Sequence, residues 1–372
     1  MPYKISGSIS EDAKIIIVNQ SDWSVETTSD ESVGEYEIST LIGGTKAVIA
    51  RKSDGCSLGY GNVAAQPYSG DRGIFGGGTI STPSDINVID YITFSSLANA
   101  DDFGDMYHAR TKRGAVSNGG MDRGAFGCGE LSGSPSKAAE YITITTLGNG
   151  TFIGDMTVSR GAVAACSNGT YNRGIFGAGW DISSVYYNIL DYITITSIGD
   201  GSDFGDLTIA RWGPGGTSNA TNNRGVFAGG RNSSNASINV IDYITISSIG
   251  NGQDFGDLTT IKDYSAGISN GINDRGVFGG GYSTGSGANT NIIDYITISN
   301  TSNSTNFGDL SNARRALTAA SSGPNNKGVF VGGYTSTYSN RMDYIIISTL
   351  ADATDFGDLT SPRYSPAGTS NA

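Results

Sequence analysis

Basic residues recur at two fixed places along this chain, and their chemistry suits charge-assisted hydrogen bonding. One set opens a Gly-Val-Phe or related segment: Arg72, Arg123, Arg173, Arg224, Arg275 and Lys327. The other closes each copy of the pattern: Arg110, Arg160, Arg211, Lys262, Arg314 and Arg363. Together they take twelve of the 23 basic residues. A guanidinium facing a carboxylate can hold a ligand or tie two segments together. A catalytic constellation is needed once, whereas a tie between neighbouring units is needed at every junction, so sixfold recurrence predicts architecture.

The remaining reactive side chains are few. His108, in the run Met106-Tyr107-His108-Ala109-Arg110, is the one histidine, so any mechanism with two imidazoles is excluded by counting and a Ser/His/Asp or Cys/His set would have to use it. Cys56, Cys128 and Cys166 are odd in number and far apart, which points to reduced or buried thiols and away from a disulfide framework or a zinc cluster. The acidic run from Asp200 to Asp206 has the oxygens of a calcium loop, but the equivalent stretch 300–309 carries Thr, Ser and Asn there, so an Asx turn is expected. Glycoside cleavage would need two facing carboxylates, and nothing singles out a pair. We expect no catalytic set, no metal and no cofactor.

The elements that place these residues are repeats. Asp105, Asp155, Asp206, Asp257, Asp309 and Asp358 each follow a Gly (in the run Phe-Gly-Asp or Ile-Gly-Asp) and are spaced by 50, 51, 51, 52 and 49 residues. With 55 Gly, 19 Tyr and only 16% charged residues, the copies have no 3.6-residue apolar period, which excludes a helical repeat and predicts an all-β fold. The spacing suits a four-stranded propeller blade. The first strand is the small-residue stretch after the closing Arg, such as 316–321; the second contains Val277-Phe278; the third is Asp-Tyr-Ile-Thr-Ile; the fourth lies at Phe-Gly-Asp-Leu. Residues 364–372 repeat the wording of 212–220 with no further strands after them, while 72–105 lack a first strand. The last strand is therefore expected to complete the first blade, giving six blades with no open edge.

Residues 1–66 do not share the repeat, and their short β-branched segments predict a separate small β-sandwich. The opening Ile5-Ser6-Gly7, the middle Gly34-Glu35-Tyr36-Glu37-Ile38 and the later Lys46-Ala47-Val48-Ile49-Ala50 resemble the transthyretin-like or carboxypeptidase-regulatory sandwich family, which implies attachment or display. Residues 67–372 resemble the kelch repeat family. The resemblance is carried by Gly-Gly after an apolar strand (Phe227-Ala228-Gly229-Gly230), by Asp242-Tyr243-Ile244, and by an aromatic three residues before a Leu (Phe255 and Leu258). Phe stands where kelch repeats usually have Trp, and Ile153 takes the place in one copy.

Strand alternation puts the loops between strands two and three on the same face as those between strand four and the next strand one. The first kind differs from copy to copy, at 79–87, 130–137, 180–187, 231–238, 282–291 and 334–341, and is rich in Tyr, Trp, Ser, Thr and Asn. That composition serves adaptable binding surfaces and sugar-stacking platforms. Trp180, Tyr186, Tyr187, Trp212, Arg231, Tyr282, Tyr334 and Tyr338 are the expected ligand-binding residues.

The net charge of −12, without a basic run, argues against nucleic acid, and no apolar run reaches the ~18 to 20 residues of a membrane span. The Met-Pro-Tyr-Lys-Ile-Ser start lacks the features of a signal peptide, so no secretion signal is expected. In layout and repeat wording the chain is similar to kelch-like proteins of bacteriophage virions. That resemblance implies a non-enzymatic tail-associated fibre or receptor-binding protein, assembled in the host cytoplasm. It would be held to other virion proteins by the N-terminal domain and would present the propeller to a host-surface glycan or protein. A capsid decoration protein, a carbohydrate-active propeller enzyme and an intracellular kelch-type scaffold are the alternatives.

Overall fold

The computed structural model describes residues 71–371 apart from 82–83, 120–121, 169–171, 220–222, 271–273 and 324, together with the backbone of six earlier strands. The chain divides into two compact units, Met1–Tyr68 and Ser69–Ala372. In the first, Tyr3–Ile9 pairs with Gly34–Thr40. Val25–Glu31, Ala13–Asn19, Lys46–Lys52 and Ser57–Val63 form a second sheet in that order. The expected packing of these sheets into a sandwich lies outside the described residues.

The second unit is a six-bladed β-propeller. From the axis outward, blade 1 is Ala367–Ser370, Arg72–Gly76, Val88–Thr93 and Asp101–Asp105. Blade 2 is Gly114–Ser117, Arg123–Gly127, Ala138–Thr143 and Thr151–Asp155, and blade 3 is Ala164–Asn168, Arg173–Gly177, Ile189–Thr194 and Ser202–Asp206. Blade 4 is Gly215–Asn219, Arg224–Ala228, Val240–Thr245 and Gln253–Asp257. Blades 5 and 6 follow as Ala266–Ser269, Arg275–Gly279, Ile292–Thr297, Thr305–Asp309 and Thr318–Ser322, Lys327–Val331, Arg341–Ile346, Thr354–Asp358. Ala367–Ser370 comes from the chain's end and pairs antiparallel with the strand at Arg72, Ala367 facing Gly76 and Ser370 facing Gly73.

The inner strand of blade 6 starts at Thr318, two residues later than the small-residue run suggests, because Ala316 adopts φ +53° and cannot join a strand. Near the axis the inner strands crowd one another. A Cβ on Gly368 would stand 2.6 Å from Ala319 O of the neighbouring blade, which is why small residues collect there.

The core lies between blades. Phe75, Phe126, Phe176, Phe227, Phe278 and Phe330 are all fully buried. Each is planted in the neighbouring blade: Phe227 of blade 4, for example, packs with Ile175, Leu190 and Phe204 of blade 3. At ~1.5 to 3 kcal/mol for each fully buried ring, this set alone holds the blades together strongly. A β-bulge recurs before the third-strand acid, as at Ile241/Asp242, and turns that carboxylate toward the preceding blade.

Candidate binding site

The recurring charges join the blades. The closing cation of one blade reaches the third-strand carboxylate of the next: Arg160 to Asp191 at 2.8 Å, Arg211 to Asp242 at 2.8 Å, Lys262 to Asp294 at 2.8 Å, Arg314 to Asp343 at 2.7 Å and Arg363 to Asp90 at 2.9 Å. Every side chain in these five pairs is fully buried. The junction of blades 1 and 2 departs from the rule. Glu140 replaces the Asp and pairs with Arg113, while Arg110 donates to Ala138 O at 3.2 Å. His108 sits half-buried at this junction against Tyr107, and burial, then Arg110, lowers its pKa.

The opening cations are a second set of ties. Arg72 donates to Ile144 O at 2.8 Å, Arg173 to Ile246 O at 2.7 Å and Lys327 to Phe94 O at 2.7 Å, each a carbonyl of the next blade. Each also stacks on its own blade's third-strand tyrosine, Arg72 on Tyr91 at 4.7 Å and Arg173 on Tyr192 at 4.7 Å. In the acidic loop, Asp200 Oδ1 accepts a hydrogen bond from Asp155 N at 2.9 Å, an outer link between blades. Cys128 and Cys166 are buried free thiols.

Around the axis on the variable-loop face, the second residue after each closing cation has left-handed backbone. These are Lys112 (φ 55°), Ala162 (53°), Gly213 (64°), Tyr264 (55°), Ala316 (53°) and Ser365 (53°). Their amides form a closed ring. Ala162 N donates to Lys112 O (2.9 Å), Gly213 N to Ala162 O (2.8 Å), Tyr264 N to Gly213 O (2.7 Å), Ala316 N to Tyr264 O (3.0 Å), Ser365 N to Ala316 O (2.8 Å) and Lys112 N to Ser365 O (3.1 Å). A left-handed residue other than Gly costs about 1 to 2 kcal/mol, and the ring of hydrogen bonds offsets it. Four of the six positions carry Ala, Gly or Ser, which leaves space for Tyr264 to reach across the mouth. Its ring lies 5.0 Å from Trp212, which leads into blade 4, and 6.2 Å from Tyr364, which leads into blade 1. Burial first, then Tyr364, raises the Tyr264 phenol pKa well above its usual range, so it stays neutral.

Just outside the ring, the residue after each closing cation pairs with the residue after the next Gly-Gly or its equivalent: Thr111 with Glu130, Gly161 with Trp180, Trp212 with Arg231, Asp263 with Tyr282, Arg315 with Tyr334 and Tyr364 with Thr79. Six backbone pairs, one at each junction between blades, thus lie around one face. Tyr186, Trp212, Tyr264, Tyr364, Tyr334 and Tyr338 run as a chain of ring contacts 5.0 to 6.3 Å apart. Two arginines continue the chain: Arg231 lies between Trp212 and Tyr282, and Arg315 between Tyr282 and Tyr334. Beside it lies a cavity of about 400 Å³ between Tyr334, Tyr338, Tyr364, Arg315, Lys112 and Glu130.

Of the residues singled out in the sequence, Tyr186, Trp212, Arg231, Tyr282, Tyr334 and Tyr338 come together here. Trp180 makes no ring-to-ring contact with that chain of rings among the described residues, but its backbone pairs with Tyr186 and Lys112 Nζ lies 5.4 Å from its ring centre. Tyr187 is apart, its hydroxyl donating to Asp181 Oδ2 at 2.8 Å. Sequence reading missed Arg315, Tyr364, Tyr264, Lys112 and Glu130. A signal was present, since all but Glu130 occupy the two places after a closing cation where Trp212 had already been noticed. Comparison with protein-family models and with curated proteins finds no match.

Proposed function

We propose that this chain is a non-enzymatic binding protein of a bacteriophage virion, a tail-associated fibre or receptor-binding component that meets a host-surface glycan or protein with the variable-loop face of its propeller. The observation that carries the reading is the continuous aromatic and arginine surface beside a cavity of about 400 Å³, a volume within the roughly 300 to 1,000 Å³ of small-molecule sites. Aromatic rings offer sugar rings an apolar face at little entropic cost, and polar loops around them set orientation. The carboxylates nearest the cavity favour binding over turnover. Asp85 accepts from Thr79 Oγ1 and from Ser132 N, both at 2.7 Å, and Glu130 holds Lys112 at 2.8 Å.

The virion setting rests on layout and repeat wording: a separate N-terminal unit to anchor, a kelch-like propeller to display, and the cytoplasm of an infected cell as the place of assembly. Adsorption assays test it. The purified chain is expected to bind host cells and to block adsorption of the parent particle, and Tyr364→Ala with Tyr334→Ala is expected to lose both effects while keeping the fold. Binding to particles at every capsomere would instead establish a decoration protein, and release of reducing sugar from host polysaccharide would establish an enzyme. Either result overturns the proposal.

A further inference from the structure

The face carries two arginines held in the same way and finished differently. Arg231 lies 4.8 Å from the Trp212 ring centre and 5.5 Å from that of Tyr282; Arg315 lies 4.9 Å from both Tyr282 and Tyr334. Stacking of this kind covers the flat sides of a guanidinium and leaves its rim of N–H donors to be filled. Around Arg231 the rim is filled by Asp263, with Nε to Oδ2 at 3.0 Å and Nη2 to Oδ1 at 3.3 Å, and by Asn235. Asp263 is fully buried, so this fork is an internal brace.

Around Arg315 the rim stays open. Its Nη1 donates to Asn289 Oδ1 at 3.2 Å, and no carboxylate of the described residues comes within the 4.0 Å of an ion pair. Asp263 feels its charge, but the oxygens of that carboxylate take hydrogen bonds from Arg231 and Ser237. Arg315 lines the cavity, and its walls hold two carboxylates, Asp85 and Glu130, engaged with Thr79, Ser132 and Lys112. Glu130 Oε1, buried without a hydrogen-bond partner, is packed against Gly161. The cavity therefore presents one cation without a carboxylate partner, preorganised by its stacking, next to three tyrosines, and one carboxylate, Asp85, whose two oxygens are already taken by the neutral donors Thr79 and Ser132.

We propose that this cavity binds an acidic saccharide, its carboxylate or sulfate oxygens on the open rim of Arg315 and its sugar ring against Tyr334, Tyr338 and Tyr364. The proposal rests on the glycan-binding form of the function proposed above and goes further by naming the ligand's charge. The net charge of −12 does not forbid an anion, because charges more than about 8 Å away are largely screened at physiological ionic strength while a bidentate contact is not.

A glycan array carrying uronic-acid, sialic-acid and sulfated saccharides beside their carboxyl-reduced or desulfated counterparts tests it on the full chain. The expected signal is confined to anionic members, preferred over neutral partners by about tenfold to a hundredfold, the worth of hydrogen bonds to a charge. The carboxylate and sulfate arms separate the two anion types. Arg315→Gln is expected to erase the preference with an unchanged circular dichroism spectrum, and Tyr364→Ala to weaken all binding. Equal signal on acidic and neutral partners overturns the acidic ligand and leaves glycan binding standing. A signal in the wild type that Arg315→Gln does not alter overturns the role of Arg315. A blank array overturns both.

Discussion

Arg314 and Arg315 are adjacent in the chain, yet one belongs to the inside of the propeller and the other to its face. Arg314 is fully buried, bound to Asp343 at 2.7 Å and to Phe330 O at 3.2 Å, and it has a counterpart at each junction. Arg315 has counterparts in position but none in chemistry, since Thr111, Gly161, Trp212, Asp263 and Tyr364 occupy the same place in the other blades. A position that the fold needs at every junction keeps one chemistry. The position beside it serves a different end in each blade, a buried brace at Asp263, a close approach to Glu130 at Gly161 and a stacked cation on the face at Arg315.

The largest effect should come from the element on which all the junctions depend. Deleting residues 364–372 removes the inner strand of blade 1 and breaks the amide ring at Ser365, which opens the circle. The shortened chain is expected to lose cooperative thermal unfolding. A two-state melt within a few degrees of the full chain would contradict a closed ring.

Next come the buried pairs taken singly. Arg211→Ala leaves Asp242 buried with only Thr208 of its present hydrogen-bond partners, and is expected to cost about 3 to 5 kcal/mol in urea unfolding. Arg314→Ala should cost less, because Asp343 keeps the Arg341 Nε contact at 3.0 Å and the Ser311 hydroxyl, which lies 2.7 Å from both of its oxygens and donates its one hydrogen to them. Equal losses would mean that Arg341 contributes nothing.

The same family of acids gives opposite pH signatures. At Asp90 burial is the largest influence and outweighs Arg363 and Thr360, so the carboxyl sits above its ordinary 3.8. At Asp343 burial pushes up as well, but Arg314, Ser311 and Arg341 together hold the carboxyl below that value. A raised acid binds its proton more tightly in the folded state. Its contribution is fully present below pH 3.8 and is lost as pH rises through the folded value. A depressed acid contributes above 3.8 and loses that as pH falls through the folded value. The stability of wild type minus Asp90→Asn should therefore grow on acidification near pH 4, whereas wild type minus Asp343→Asn should shrink. Slopes of the same sign would show that the two sites share one environment.

The blades were legible because each signal is local. The Gly-Asp spacing, the alternation in Asp-Tyr-Ile-Thr-Ile and the repeated cations can each be read within about fifty residues, and the six-bladed all-β propeller follows from them. The face was legible only in part. Trp212, Tyr264 and Tyr364 lie about fifty and one hundred residues apart and meet through rotation about the axis, which no local pattern records. The left-handed backbone at Lys112 and Tyr264 was also hidden, since neither is Gly or Asn and the amide ring that holds them is formed by six separate blades. Glu140 illustrates the same limit. It stands in line with five aspartates in the sequence, but its longer side chain meets Arg113 where the aspartates meet the closing cation.

The finest distinction is between Arg231 and Arg315, and stability alone can draw it. Removing either guanidinium forfeits two stacking contacts, worth about 0.5 to 1 kcal/mol each where partly exposed. Arg231→Ala also strands Asp263, whose carboxyl is already raised by burial, with Ser237 as its remaining hydrogen-bond donor. That adds about 1 to 3 kcal/mol for a buried acceptor deprived of its partner. Arg315→Ala strands no carboxylate and gives up only the Asn289 contact. Its cost should stop near the stacking term, about 1 to 2 kcal/mol for the two contacts together. If chemical denaturation finds the two substitutions equally damaging, Arg315 is a brace like its neighbour and its open rim is not a ligand's place. If Arg231→Ala is clearly the worse, the cation that does less for the fold is the one left free for binding.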